Sequence, residues 1–153
     1  MRINKFKIFI FWCLSVSLDV SSSLDDYYPK KLEPTYSNYG ITGILEMPNA
    51  RMMDEGSMRI GFSSSYPNEY TYISATPFSW LEASYRYTEQ KNLQYGPSYY
   101  SGNQTFKDKG FDLKIKLFNE SYFVPGVAIG WTDLAGTGKF SAEYISATKR
   151  IKN

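Results

Sequence analysis

The feature of this sequence that most restricts its fold is an alternation of apolar and polar side chains with a period of two residues. In the segment SMRIGFSSSY, residues 57–66, Met58, Ile60 and Phe62 alternate with small or charged residues. Successive side chains of a β-strand point to opposite faces of the sheet, so this pattern predicts strands with one apolar and one polar face. Beyond the amino-terminal apolar run, no window sustains the period of an amphipathic helix.

About seven segments carry this pattern, separated by turn-forming residues, and they predict an antiparallel meander. The segments are YGITGILEMP (39–48), SMRIGFSSSY (57–66), EYTYISAT (69–76), LEASYRYT (81–88), FDLKIKLF (111–118), PGVAIGW (125–131) and KFSAEYISATKR (139–150). The first of them is the weakest. The polar, glycine-containing stretch 89–110 predicts a long loop.

The amino end has the order of a secretory signal peptide. Three basic residues precede an apolar run from Ile8 to about Leu18, and small residues follow as far as Ser22. The run is too short for a transmembrane helix of about 20 residues. We therefore predict a signal peptide at 1–22, an extended linker at 23–38 with two prolines and clustered charges, and a β domain at 39–153.

Cys13, the only cysteine of the chain, lies within the predicted signal peptide. The bulky residues IFW precede it, where a lipoprotein signal has small residues, and they argue against lipidation. A mature chain without cysteine has no disulfide framework and no thiolate metal site.

Seven short alternating strands suit either a soluble β-sandwich or a membrane β-barrel. Three features favour the barrel. Short connections, at PNE and TPFSW, alternate with the long one at 89–110; the polar face carries charges opposite a continuous apolar face; and aromatic residues cluster toward strand ends, as in an interfacial girdle. The girdle residues would be Tyr66, Tyr70, Tyr72, Trp80, Tyr85 and Tyr87.

Alternation also selects the charged side chains that a barrel would turn toward its lumen. These candidates are Arg59, Glu82, Arg86, Asp112, Lys114, Lys116 and Glu143. Some of the tyrosines could instead stack on sugar rings, but most of them share the apolar face.

Several kinds of chemistry find no support in the sequence. The chain has no histidine, which excludes a Ser-His-Asp triad and an HExxH zinc site. AGTGK at 135–139 lacks the first glycine and the Ser or Thr of a phosphate-binding loop, so it predicts a turn. Glu82 and Glu143 could serve as glycosidase carboxylates only if the fold brought them together. We predict no catalytic, cofactor or metal site. With 17 basic and 15 acidic residues, we also predict no nucleic-acid partner.

Four segments resemble the amino-terminal part of the YjbH and GfcD family, outer-membrane proteins of Gram-negative bacteria linked to exopolysaccharide or capsule production. The segments are YGITGILEMPNARMMDEGSMRIGFS (39–63), PFSWLEASYRY (77–87), FKDKGFDLKIKLF (106–118) and AIGWTDLAGTGKFSAEYISATKR (128–150). KDKGFDLK and DLAGTGKFSAEY are the more specific motifs.

The resemblance implies an all-β fold, the amino-terminal part of an outer-membrane β-barrel that acts without catalysis in exopolysaccharide secretion or assembly. It implies outer-membrane lipid, exopolysaccharide, and companion periplasmic and lipoprotein components as partners. The alternative is a soluble periplasmic β-sheet module for binding or assembly. Family members are several hundred residues long, and single-chain bacterial barrels have an even number of strands, from about eight upward. We therefore expect a chain truncated at its carboxyl end.

Overall fold

The computed structural model describes residues 34–151, which form a six-stranded antiparallel sheet and a small two-stranded hairpin. The elements are β1 (Gly43–Ile44), β2 (Met47–Pro48), β3 (Ser57–Ser65), β4 (Asn68–Phe78), β5 (Leu81–Gln94), the one-turn helix α1 (Ser98–Ser101), β6 (Thr105–Phe118), β7 (Gly126–Thr132) and β8 (Ala142–Thr148). In the large sheet each strand from β3 to β8 pairs with the next one in the chain. The predicted antiparallel meander is confirmed. Within the described residues it is not closed into a barrel, because β3 and β8 are its two edges.

Six of the seven predicted strands belong to this sheet, and the first does not. Residues 39–48 turn back on themselves as the β1–β2 hairpin, in which Gly43 pairs with Pro48 and Ile44 with Met47. Gly40 and Leu45 have φ angles of 84° and 53°. A continuous strand has negative φ throughout, so these two residues interrupt the predicted one.

The predicted signal peptide, and the predicted linker as far as residue 33, lie outside the described residues. The last residues of that linker, 34–38, are part of the folded unit. Tyr36 and Ser37 form isolated bridges with Thr42 and Leu45, and Ser37 is buried. No helix within residues 34–151 combines the length and apolar character needed to cross a membrane.

Strands β5 and β6 are longer than predicted, with 14 residues each, and the connection between them shrinks to 95–104. Their polar ends pair across the strands: Glu89 lies opposite Lys107 and opposite Glu69, and Lys91 forms ion pairs with both glutamates at 3.0 and 3.5 Å. Cross-strand pairs of opposite charge support β structure. A polar composition that suggested a loop is therefore that of two paired strand ends, in which residues 91–94 are exposed on both faces.

The connections do not alternate between short and long as expected, because the two-residue turns 66–67 and 79–80 are followed by three longer connections, 95–104, 119–125 and 133–141. Successive connections of a meander alternate between ends, so the two-residue turns 66–67 and 79–80 lie at opposite ends. We call the end with connections 66–67, 95–104 and 133–141 the distal end. The end with 79–80 and 119–125, where the chain enters β3, is the proximal end. The two longest connections are both distal.

The two faces of the sheet differ sharply in polarity and in exposure. One face, here the outer face, carries large apolar side chains that are exposed, with Ile60 at 72% and Ile145 at 78%. Pairing aligns them into rows across strands, such as Leu81–Ile115–Ile129–Ile145. The other face, the inner face, is buried although it is polar. Its residues that are 2% exposed or less are Ser74, Thr76, Glu82, Ser84, Arg86, Thr88, Asp108, Asp112, Lys114 and Ala128.

The predicted aromatic girdle is only partly on the outer face. Tyr85 and Tyr87 pair with Ile73 and Thr71 and share their outward direction. Tyr70 and Tyr72 point inward, because they alternate with Ile73 and pair with Thr88 and Arg86. The expectation that these two tyrosines belong to the girdle was wrong.

Candidate functional site

Three charged side chains of the inner face meet in one ion network. Glu82 of β5 lies opposite Lys114 of β6, and their carboxylate and ammonium groups are 2.7 Å apart. Both side chains are fully buried. The guanidinium of Arg59, on β3, reaches the other oxygen of Glu82 at 2.8 Å. Buried charges are tolerated where they are paired and hydrogen-bonded, and two cations share this carboxylate.

This network holds residues 34–56, which we call the amino-terminal segment, against the inner face. Thr42 donates to Glu82 from its backbone N–H at 3.1 Å and from its hydroxyl at 2.6 Å. The Lys114 ammonium, already paired with Glu82, lies 3.1 Å from the Thr42 carbonyl oxygen, 2.9 Å from the Arg51 carbonyl oxygen and also close to the Thr42 hydroxyl, and its three N–H groups are shared among these acceptors. The segment thus completes the hydrogen bonding of a buried ion pair, which explains why a polar face can be buried.

Further contacts extend the same docking across the sheet. The Ala50 amide donates to the Thr148 hydroxyl of β8 at 2.9 Å, and Arg51 forms an ion pair with Glu120 at 3.1 Å. The ring of Tyr36 lies 3.5 Å from the Arg59 guanidinium, within cation–π distance. The segment therefore reaches from β3 to β8.

A second cluster surrounds Arg86 on the distal side of the network. Its guanidinium lies 3.5 Å from Asp112, which accepts a hydrogen bond of 2.8 Å from the Asp133 amide. Asp133 in turn accepts from the Phe140 amide at 3.3 Å. These bonds fold the connection 133–141 inward over the face, and Thr137 adds a bond of 2.6 Å to Asp108.

Arg86 also contacts the aromatic rings of the inner face. Its guanidinium is 4.4 Å from the centre of the Tyr39 ring, and the Tyr39 and Tyr70 rings meet edge to face at 5.2 Å. Burial raises the pKa of the Tyr39 phenol, and the neighbouring Tyr70 and Glu46 raise it further while Arg86 opposes them. The phenol consequently stays neutral and can donate a hydrogen bond.

Glycines opposite large side chains let the inner face pack closely. A row of cross-strand partners runs Gly61–Tyr72–Arg86–Gly110. A Cβ on Gly61 would overlap the Tyr72 ring, and one on Gly130 would overlap the ring of its partner Tyr144. The tyrosine rings fill the space above these glycines, which explains why large rings occur on a polar face.

A cavity of about 380 Å³ remains between the amino-terminal segment and the connection 133–141. It is lined by Ser37, Tyr39, Ile41, Glu46, Pro48, Arg86, Thr132, Phe140, Ser141, Ala142 and Tyr144. The lining mixes aromatic rings, hydroxyl groups and two opposite charges.

The seven predicted lumen residues are not all on one face. Arg59, Glu82 and Lys114 meet in the first cluster, and Arg86 and Asp112 in the second. Lys116 shares their face, because it pairs with the buried Ala128. Glu143 is on the outer face, exposed and opposite Trp131.

The inward assignment of Glu143 is therefore corrected: register places Glu143 in line with Leu113 and Trp131, whereas its neighbour Tyr144 points inward. Glu82 and Glu143 thus lie on opposite faces and do not form a carboxylate pair. In the described part of the chain, no three His, Cys, Asp or Glu side chains are grouped so as to hold a metal ion.

Sequence reasoning missed the residues that complete the clusters, namely Thr42, Tyr39 and Asp133. Thr42 and Tyr39 were expected in a strand of the sheet, and only the hairpin places them over the inner face. No local signal marks them. The DLAGTG motif, which follows β7, did single out the loop that begins at Asp133.

Comparison with known proteins finds relatives by sequence and none by structure. The sequence profile of the YjbH family, described as "Exopolysaccharide biosynthesis protein YbjH", matches residues 35–153. A protein of Escherichia coli (strain K12), named "Uncharacterized lipoprotein YjbH", is 44% identical over 125 residues. The match covers 80% of this chain but 18% of that protein. No solved structure matches significantly. Since the profile spans the whole sheet with its docked segment, the chain belongs to the YjbH family of exopolysaccharide biosynthesis proteins.

Proposed function

We propose that this sheet is part of the wall of an outer-membrane β-barrel that serves exopolysaccharide secretion or assembly. The observation that carries the proposal is the inverted polarity of the sheet. Side chains such as Met58, Ile60 and Ile145 are exposed at 68%, 72% and 78%, while Glu82 and Lys114 are fully buried. A sheet in water buries its apolar face. A barrel in lipid presents that face outward and keeps its polar face inside.

Strand lengths and the ends of the sheet support this placement. Strands β3 to β6 contain 9, 11, 14 and 14 residues, compared with the ~9–11 of a tilted membrane strand; β7 and β8 are shorter, with 7 each. Phe78 and Trp80 stack at 5.5 Å at the proximal end, as aromatic residues do at a membrane interface. At the distal end the charged row of Glu69, Glu89 and Lys107 would mark the opposite boundary.

Strands β3 and β8 each have an unpaired edge, which supports the proposal that the sheet is one part of a barrel wall. Unsatisfied backbone groups in lipid cost several kcal/mol each. In the membrane these two edges would therefore pair with further strands. The amino-terminal segment would then lie within the lumen, docked on the wall by Lys114 and Glu82.

Export, partners and the absence of catalysis are part of the same proposal. The predicted signal peptide at 1–22 would direct the chain across the inner membrane, and the E. coli relative carries the name of a lipoprotein. Within the outer membrane the chain would act without catalysis, beside companion periplasmic and lipoprotein components, on the polymer as it is exported.

Quenching of tryptophan fluorescence by brominated lipids tests the membrane placement. Trp131 lies on the outer face between Leu113 and Glu143, in the row that includes Ala83, three residues beyond Trp80 of the proximal turn. It is therefore farther from the proximal end of the sheet than Trp80 is. In a Trp12→Phe/Trp80→Phe variant, bromines near the bilayer centre should quench Trp131 more than bromines near the headgroups. The matched Trp12→Phe/Trp131→Phe variant should show the reverse order at Trp80.

A sodium carbonate wash distinguishes the soluble alternative. An inserted barrel segment stays with the membrane, whereas a periplasmic module is released. Release by carbonate together with unquenched Trp131 would reject the barrel and favour the soluble module. Retention without quenching would indicate aggregation and would equally contradict the proposal.

A further inference from the structure

We infer that the cavity between the amino-terminal segment and the connection 133–141 binds one or two units of a neutral sugar chain. The inference deepens the proposed function and rests on it, because it names the class of ligand that the inner face would take. Its basis is the size of the cavity, the chemistry of its lining and one buried N–H of Arg86 that has no hydrogen-bond partner among the described residues.

The size of the cavity suits a small ligand. Its volume of about 380 Å³ lies at the lower end of the ~300–1,000 Å³ typical of ligand sites. The amino-terminal segment forms one wall through Tyr39 and Ile41, and β8 with the connection before it forms the other through Phe140 and Tyr144. Both walls are fixed by the buried clusters, so the site is preformed.

The lining has the two kinds of surface that a sugar ring requires. Three aromatic side chains, Tyr39, Phe140 and Tyr144, offer faces or edges on which the C–H groups of a pyranose can pack. Hydroxyl groups at Ser37, Thr132 and Ser141 can donate to and accept from sugar hydroxyls.

The charges around the cavity favour a neutral ligand over an acidic one. Arg86 and Glu46 are the two charged residues of the lining, and their charges oppose each other. Behind Arg86 lie Asp112, in contact with its guanidinium, and Asp133, whose carboxylate and the Arg86 guanidinium would both lie 3.3 Å from a Cβ placed on Gly110. With three carboxylates near one guanidinium, an anionic sugar would meet net repulsion.

Arg86 provides the observation that points to a ligand rather than to packing alone. It is 2% exposed and lines the cavity, yet its Nε–H has no hydrogen-bond partner within residues 34–151. Leaving a buried donor unsatisfied costs about 1–3 kcal/mol, and more for a charged group. The Nε atom itself has almost no accessible surface, so a sugar hydroxyl would accept this bond, and remove the cost, after the guanidinium turns toward the cavity.

Saturation-transfer NMR on the full chain in detergent micelles tests the inference. The probes are the neutral and the acidic oligosaccharide fractions from partial hydrolysis of the exopolysaccharide made by cells that express the chain. We expect saturation transfer to the neutral fraction, and weak or no transfer to the acidic one. Equal transfer to both, or preference for the acidic fraction, would overturn the assignment.

Two cavity-filling variants and one matched control locate the binding. Ala142→Trp and Ser141→Trp each place an indole in the cavity without removing a cluster residue, and we expect about tenfold weaker binding, equivalent to ~1.4 kcal/mol. Ala147→Trp carries the same change on β8 but on the outer face, in line with Val127, and should bind like the parent chain. Unchanged binding in both cavity variants would place the sugar elsewhere.

Polymer output in cells separates failure of this inference from failure of the proposed function. If deletion of the gene lowers the output but the neutral fraction does not bind, the cavity assignment falls and the proposed function stands. If deletion leaves the output unchanged, the role in exopolysaccharide export falls, and with it the reason to expect this ligand.

Discussion

The docking of the amino-terminal segment by Lys114 leads to a quantitative prediction for Lys114→Met. In the parent chain, the Lys114 ammonium group donates to the carbonyl oxygens of Thr42 and Arg51 at 3.1 and 2.9 Å. Hydrogen bonds to charged groups contribute about 1.5–3 kcal/mol each, so the loss of two costs the docked state at least ~3 kcal/mol. We call molecules in which the amino-terminal segment has left the inner face the open population. At 1.36 kcal/mol per factor of ten, this population should rise on the order of 100-fold.

Limited trypsin digestion reads this population directly. The carbonyl of the Arg51–Met52 bond accepts from the Lys114 ammonium at 2.9 Å, and Met52 is buried. Trypsin can therefore cleave this bond only in the open population. When the segment recloses faster than trypsin cleaves, the cleavage rate is proportional to that population. We expect cleavage at Arg51–Met52 to accelerate by about that factor.

Lys109→Met is the matched control, with the same substitution on β6 but on the outer face, opposite Tyr87. It should leave cleavage at Arg51–Met52 unchanged. Equal rates for Lys114→Met and the parent chain would refute the docking role. A parallel rise in the cleavage rate at the Arg59–Ile60 bond, within β3, would show that Lys114 stabilises the sheet as a whole rather than the docking of the segment.

Three further changes test the faces of the sheet. Gly130→Ala should destabilise the chain by ~1–3 kcal/mol in denaturant titrations, because the new Cβ meets Tyr144, and Tyr144→Leu should partly restore stability. Ile60→Arg should lower the free energy of unfolding measured in lipid bilayers by ~2–4 kcal/mol, because it places a charge on the lipid-facing side of the sheet. Lys114→Glu/Lys116→Glu in an intact full-length relative should lower assembly in the membrane and polymer output, since carboxylates would oppose Glu82 where an ammonium pairs with it at 2.7 Å.

Each of these changes has its own control or contrary result. Gly96→Ala, whose Cβ would come no closer than 3.6 Å to any neighbour, should be neutral. A cost within about ±0.5 kcal/mol for Ile60→Arg would be the behaviour of a surface site in water and would argue against lipid contact. Normal assembly and polymer output in the doubly reversed relative would remove the lumen role of these lysines.

Local pattern was sufficient for the strands and for most of the face assignments. The alternation at 57–66, 81–88 and 111–118 is long enough to define both a strand and its polar side. Five of the seven charged residues predicted to share a face do come together in two clusters, and Lys116 lies on the same face. This succeeded because the side-chain period of a strand is a property of the backbone and does not depend on neighbours.

Glu143 and Tyr72 show where local pattern fails. In KFSAEYISATKR polar and apolar residues occupy both parities, so only the pairing of Glu143 with Trp131 decides which side faces outward. Tyr72 has the composition of a girdle residue. It is turned inward by its pairing with Gly61, whose missing side chain leaves room for the ring.

The sequence by itself determined the all-β class, the meander, the existence of the six strands of the large sheet and the family resemblance, because each depends on local period or on matching residues. The tertiary structure alone decided that residues 34–56 fold back over the polar face, that Thr42 completes the Glu82–Lys114 pair, and that Arg86 opens onto a cavity. These features join residues up to 98 positions apart in the chain, as between Ala50 and Thr148. Their energies come from burial and from hydrogen-bond partners that exist only once the sheet has formed.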